Sequence, residues 1–177
     1  MNRFLLVAAL LAAPIAARAD VGLRIGAEAN IANHDAAGTH FISDNWPLAG
    51  DLMLSYWLPG DLLSLDVELS EGFLLSPPGT AGSRTGTILR PGVRLSPPVI
   101  PFYVRAAVPF TVEAPAPYDV GRGTYGLRLG AGMNIPLVLF KIYIEADADF
   151  PLGGGTNAPD AFSNWQLWLT GGLDFRF

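Results

Sequence analysis

From residue 20 to Phe177, segment after segment sets apolar residues on one parity and polar or charged ones on the other. In Phe140-Lys141-Ile142-Tyr143-Ile144-Glu145-Ala146-Asp147-Ala148-Asp149-Phe150, one set is Phe, Ile and Ala, the other Lys, Tyr, Glu and Asp. A period of two means a strand with two unlike faces. The pattern predicts eight strands, at about 21–31, 48–58, 62–71, 86–96, 102–112, 124–134, 140–150 and 165–177. Each is close to the roughly 9–11 residues of a tilted membrane strand.

The connections are sorted by length. Leu58-Pro59-Gly60-Asp61, Pro97 to Pro101 and Ile135 to Leu139 are short, whereas 32–47, 72–85, 113–123 and 151–164 are longer and rich in turn-forming residues. Strict alternation of long and short connections suits an up-and-down barrel with an even strand count and long loops at one end. Aromatic residues repeat on the outward parity: Phe102 and Phe110, Phe140 and Phe150, Trp165 and Phe175, with Tyr56, Tyr125 and Phe177 at strand ends. A spacing of eight to ten residues projects to roughly 20–25 Å along a tilted barrel, the height of an apolar band between two aromatic girdles. Pro91 and Pro109 interrupt this picture. A closed sheet has no edge to host them, so a bulge or early strand end is expected at each, eased at the first by Gly92.

Composition narrows the class. Half of the chain is hydrophobic and there is no cysteine, yet after residue 19 no apolar run approaches the length of a membrane helix. A net charge of −5 argues against nucleic acid as a partner. The start, Met1-Asn2-Arg3, an apolar stretch to about Ala17 and then Ala17-Arg18-Ala19, reads as a secretory signal peptide over 1–19, leaving 20–177 as the barrel.

The inward parity carries Arg24, Glu28, Asp51, Asp66, Glu68, Arg90, Arg94, Arg105, Arg128, Lys141, Glu145, Asp147, Asp149, Asp174 and Arg176, a set close to neutral in sum. An eight-stranded barrel is just wide enough to be filled by side chains. Such charges are expected to pair into a salt-bridged lumen, because an unpaired buried charge costs several kcal/mol. Gly22, Gly26, Gly126, Gly130 and Gly132 on the inner face are expected to leave room for the long arginines. A soluble lipocalin-like barrel has the reverse arrangement, apolar inside and polar outside.

The last strand ends Gly172-Leu173-Asp174-Phe175-Arg176-Phe177. A terminal Phe on an amphipathic strand resembles the signal that bacterial outer-membrane barrels present to their assembly machinery. With the sorted loops and eight strands, the chain resembles the small-barrel group that includes the OmpA membrane domain, OmpX and OmpW. That resemblance implies an outer-membrane location, lipid and lipopolysaccharide as surroundings, the barrel assembly machinery as a partner through Phe177, and a monomer. Because the sequence stops at the barrel, no peptidoglycan-binding domain of the OmpA kind is expected.

Candidate chemistry is sparse. His34 and His40 lie in the first long stretch with Asp35, Ser43 and Asp44. Two small-barrel families act on lipid A with a surface His and Ser, but neither spacing is present: Ala36 and Ile42 hold the positions two residues from His34 and His40, and Ser43-Asp44 is reversed relative to the acyltransferase pair. No metal-ligand spacing is evident. Gly153-Gly154-Gly155 and Gly121-Arg122-Gly123 read as loops, with no helix to make a phosphate site. The expectation is therefore an all-β, eight-stranded antiparallel up-and-down transmembrane barrel with a polar, side-chain-filled lumen. Its role is structural or surface-interactive, with no catalytic, cofactor or metal residues. Three alternatives stand beside it. One binds or passes a small apolar molecule, as OmpW resemblance allows, using Met53, Trp57, Tyr103, Tyr143 and Trp168. The others are a lipid A-modifying enzyme and a soluble periplasmic sandwich.

Overall fold

The computed structural model describes residues 20–43, 46–74, 83–113, 125–153 and 164–177. The segment 1–19, Asp44, Gly121-Arg122-Gly123 and Gly154-Gly155 lie outside them. Ten strands form one antiparallel sheet: β1 (Val21–Asp35), β2 (Gly38–Phe41), β3 (Pro47–Trp57), β4 (Leu63–Leu74), β5 (Ser83–Leu95), β6 (Phe102–Ala107), β7 (Phe110–Glu113), β8 (Tyr125–Pro136), β9 (Lys141–Gly153) and β10 (Trp165–Arg176). β10 pairs back onto β1, from Gly22 opposite Arg176 to His34 opposite Trp165, so the sheet closes. β2 and β3 both run beside β1, and β6 and β7 both lie between β5 and β8. The ten segments thus make the eight walls of a barrel, and closure leaves no open edge.

The two faces of that wall are opposite in kind. Ile25, Leu52, Leu54, Leu65, Val67, Leu69, Val93, Val104, Leu129, Ile144, Leu169 and Leu173 point out and are exposed, while the charged parity is buried inside. A soluble barrel could not leave such a belt in water. The chain is a transmembrane barrel, its backbone groups paired strand to strand and its apolar side chains turned to lipid.

Both prolines sit at one place in the wall. The Pro109 region breaks the fifth wall between β6 and β7, as the sequence suggests. Pro91 does not end its strand, contrary to expectation: β5 runs through it with Val67 opposite. Residue 91 turns its backbone toward the β6–β7 break, where its carbonyl accepts from Val108 N (2.9 Å). The missing Pro91 N–H therefore faces the gap in the neighbouring wall and interrupts no ladder on the β4 side. Gly92 serves close approach instead of a bulge, since a Cβ there would lie 2.6 Å from Ala106 O and 2.8 Å from Ala107 Cβ.

The upper end also departs from expectation. Much of the stretch 32–47 is hairpin: β1 continues to Asp35 and pairs with β2 through a turn closed by Ala37 N donating to Asp35 Oδ1 (2.7 Å), with Gly38 at φ 117°. Above the membrane both strand faces are wet, so alternation fades while backbone pairing continues.

The lower end holds residue 20, Phe177 and the short turns 58–62, 96–101 and 137–140. Its rim is two-sided. By the start of β1, the end of β10 and the β3–β4 turn, Arg176 bonds Asp61 and Asp20. On the β5–β6 and β8–β9 turns, Val99 (92% exposed), Val138 (99%) and Leu139 (83%) stand out instead, extending the apolar belt to the rim on that side.

Candidate functional site

The inward parity folds into a lumen of two parts. In the lower part, guanidinium groups and aromatic rings alternate. Arg176 lies over Trp57 (4.8 Å to the ring centroid), Arg94 over Trp57 (4.8 Å) and Tyr103 (5.7 Å), and Arg24 over Tyr103 (4.6 Å) and Tyr143 (4.4 Å). Arg24 Nε donates to Asp174 (2.9 Å), and its Nη groups to Tyr103 OH and Asn134 Oδ1 (3.0 Å each), with Glu145 at 3.4 Å. Arg94 Nη2 donates to Ser55 (3.0 Å) and Nε to Ser64 (3.2 Å), beside Asp66 and Asp174. Arg105 is shared among Glu68, Glu145 and Asp66. Cation–π contact and ion pairing together hold charges where water is excluded.

The upper part is built on Arg90 and Arg128, joined by Glu28, which accepts from both. Arg90 also meets Glu68 and, at 3.4 Å, Asp51, and Arg128 meets Asp147 (2.9 Å) and Asp149 (3.2 Å). The near-neutral balance read from the sequence changes here. Lys141 and Arg176 belong to the lower mouth, at strand ends. Within the barrel five guanidiniums, of Arg24, Arg90, Arg94, Arg105 and Arg128, face eight carboxylates. Two of the three surplus carboxylates lie in the upper part, where Arg90 and Arg128 serve Glu28, Asp51, Asp147 and Asp149.

The inner glycines admit rings and carboxylates more than arginines, a correction to the expectation. A Cβ on Gly132 would strike the Tyr103 ring and approach Ile144 O (2.7 Å), one on Gly26 the Tyr143 hydroxyl, and one on Gly130 Asp147 and Glu145. Gly132→Ala is accordingly expected to cost about 1–3 kcal/mol by overpacking, read as a lower urea midpoint. An unchanged midpoint would mean that Tyr103 moves freely and does not fix Arg24.

Of the aromatic positions named from sequence, Tyr56, Phe102, Phe110, Tyr125 and Phe177 are exposed, and Phe140, Phe150, Trp165 and Phe175 are partly covered. Phe140 and Phe175 touch, with centroids 5.8 Å apart. The histidines are occupied on the upper hairpin. His34 stacks on Trp165 (5.1 Å, 6° between planes) and its Nδ1 lies 2.9 Å from Thr39 Oγ1, while His40 lies 3.5 Å from Asp35. Above the belt, Arg84 joins Glu71 and Glu113, and Thr87 donates to Glu71. The Arg84 hydrogen bonds hold both carboxyls below the usual carboxylate range.

No family model matches this chain, and no curated protein matches it. Among solved structures it is similar to that of the outer membrane protein OprG from Pseudomonas aeruginosa, with 14% identity over 90% of this chain and 96% of that one and a TM-score of 0.41. The barrel assignment rests on the closed pairing and the two-faced strands themselves.

The upper mouth holds a cavity of about 280 Å³, which sequence reasoning missed. Glu28, Arg90, Ser70 and Asp149 lie at its base, and Pro47, Ala49, Leu74, Ile88, Pro109 and Trp168 contribute apolar wall. Of the inner residues considered for an apolar pocket, only Trp168 lines it. Met53, Trp57, Tyr103 and Tyr143 are buried lower in the barrel, and the three aromatic rings among them lie against arginines.

Proposed function

We propose that the protein is a non-enzymatic outer-membrane barrel that stabilises or displays, with its interior sealed and its upper loops turned to the medium. The observation that carries this reading is the filling of the lumen: ion pairs and stacked rings run from Arg176 at the lower mouth to Arg128 beneath the upper cavity. Outer-membrane lipid and lipopolysaccharide are the surroundings that the exterior suits. Phe177, exposed immediately after the final strand, is the element proposed to address the assembly machinery, and the barrel acts as a monomer. The export signal over 1–19 belongs to the same proposal. A catalytic reading gains nothing from the histidines, since His34 is held by Trp165 and Thr39 and His40 stands against Asp35.

Planar-bilayer recording on the refolded protein tests the sealed lumen. The expected result is a band that shifts on boiling in SDS, as a closed barrel gives, together with no steady single-channel conductance. Reproducible open steps from protein that shows the shift would overturn the sealed reading and leave the barrel intact.

A further inference from the structure

We propose that the upper-mouth cavity binds a primary ammonium group carried on a small apolar body. Three features of the cavity converge on that chemistry. The first is a set of unused acceptors. Asn30, Asn33 and Asp149 line the cavity, and the Oδ1 atom of each is buried without a hydrogen-bond partner. Asn30 itself is only 1% exposed. Buried acceptors of this kind are rare in folded proteins and call for a donor. An ammonium group offers three donors and no acceptor.

The second feature is charge. Arg128 takes Asp149 through Oδ2 and leaves Oδ1 open, while the same guanidinium is divided among Glu28 and Asp147. Two guanidiniums for four carboxylates leave a net negative field beneath the cavity, and a cation entering from the mouth relieves it. The third feature is the wall. Trp168 sits next to Asn30 across the β1–β10 pairing, and its indole N–H is already given to Gln166. Its remaining contribution is an apolar surface and a π-face, both suited to an alkyl or aryl ammonium. Ile88, Pro109 and Pro47 continue that surface, matching the common design of small-molecule sites, apolar walls with a few placed polar atoms. On the donor side, Arg90 Nε is also buried without a partner at the cavity, but it offers a single N–H on a guanidinium already paired with Glu28 and Glu68, so an anion finds one donor against three acceptors.

Calorimetric titration of the refolded full chain in zwitterionic micelles tests this. The probe is n-hexylammonium chloride, with hexanol and hexanoate as controls and the heat of titrating empty micelles subtracted. The ammonium is expected to give saturable one-to-one binding that hexanol and hexanoate do not reproduce. Asp149→Asn is expected to weaken it about tenfold or more, the worth of one charge-assisted hydrogen bond. Asn30→Leu removes an acceptor without touching an ion pair and should also weaken binding. Retention of the boiling-dependent gel shift by both variants shows that any loss is not misfolding. Absence of saturable heat would overturn the proposal. So would equal binding of hexanol, or wild-type affinity in both folded variants.

Discussion

Arg128→Met is expected to destabilise the folded barrel by about 3–5 kcal/mol, the usual cost of removing one partner from a buried ionic cluster. Arg128 is fully enclosed and touches Glu28, Asp147 and Asp149, so its loss leaves Glu28 to Arg90 and strips Asp147 and Asp149 of the guanidinium they share. The opposite substitution should behave differently. Asp51 meets Arg90 only at 3.4 Å, has an unpartnered Oδ2, and competes with Glu28 and Glu68 for the same guanidinium. Asp51→Asn is therefore expected to leave the urea midpoint unchanged or raise it. Reversible unfolding in lipid vesicles, followed by the gel shift, separates the two. Similar losses for both variants would show that the lumen is not acid-rich in its effective charge.

Leu129→Arg carries the second large effect. Leu129 lies midway along the outward row of β8, between Tyr125 and Ile135, and is exposed to whatever surrounds the barrel. A cation at the middle of the lipid face costs about 2–4 kcal/mol, falling to about 0–1 near the interfaces. Leu129→Arg should lose stability on that larger scale in vesicles, and Tyr125→Arg, at the upper end of the same row, much less. A depth-independent result would contradict the belt as the membrane-facing surface.

How far these sites could be read in advance depended on whether a rule of parity governed them. Lys141 to Asp149 alternates because lipid lies on one side and the packed lumen on the other, so each residue's parity announced its face. Where both faces are wet the rule lapses. The stretch from Ala32 to Asp35 therefore reads as loop in the sequence, although its backbone pairs with β2. The prolines show a different limit. That Pro91 and Pro109 would disturb a ladder was evident, but that one disturbance would accommodate the other depends on the register of two walls.

Which residues face the lumen, how many walls there are and which side is apolar all follow from period and loop length, which are local properties of the chain. The partners of those residues come from closure of the sheet. Arg24 between Tyr103 and Tyr143, Glu28 between Arg90 and Arg128, and the unused oxygens of Asn30 and Asp149 come together from strands 62 to 121 residues apart in pairs such as Arg90–Glu28 and Arg24–Glu145. The shear and closure of the barrel set those meetings, and they also placed most of the surplus acid beneath the upper mouth. Charge balance inside a barrel depends on height along its axis, and height is a property of the closed sheet that parity does not encode.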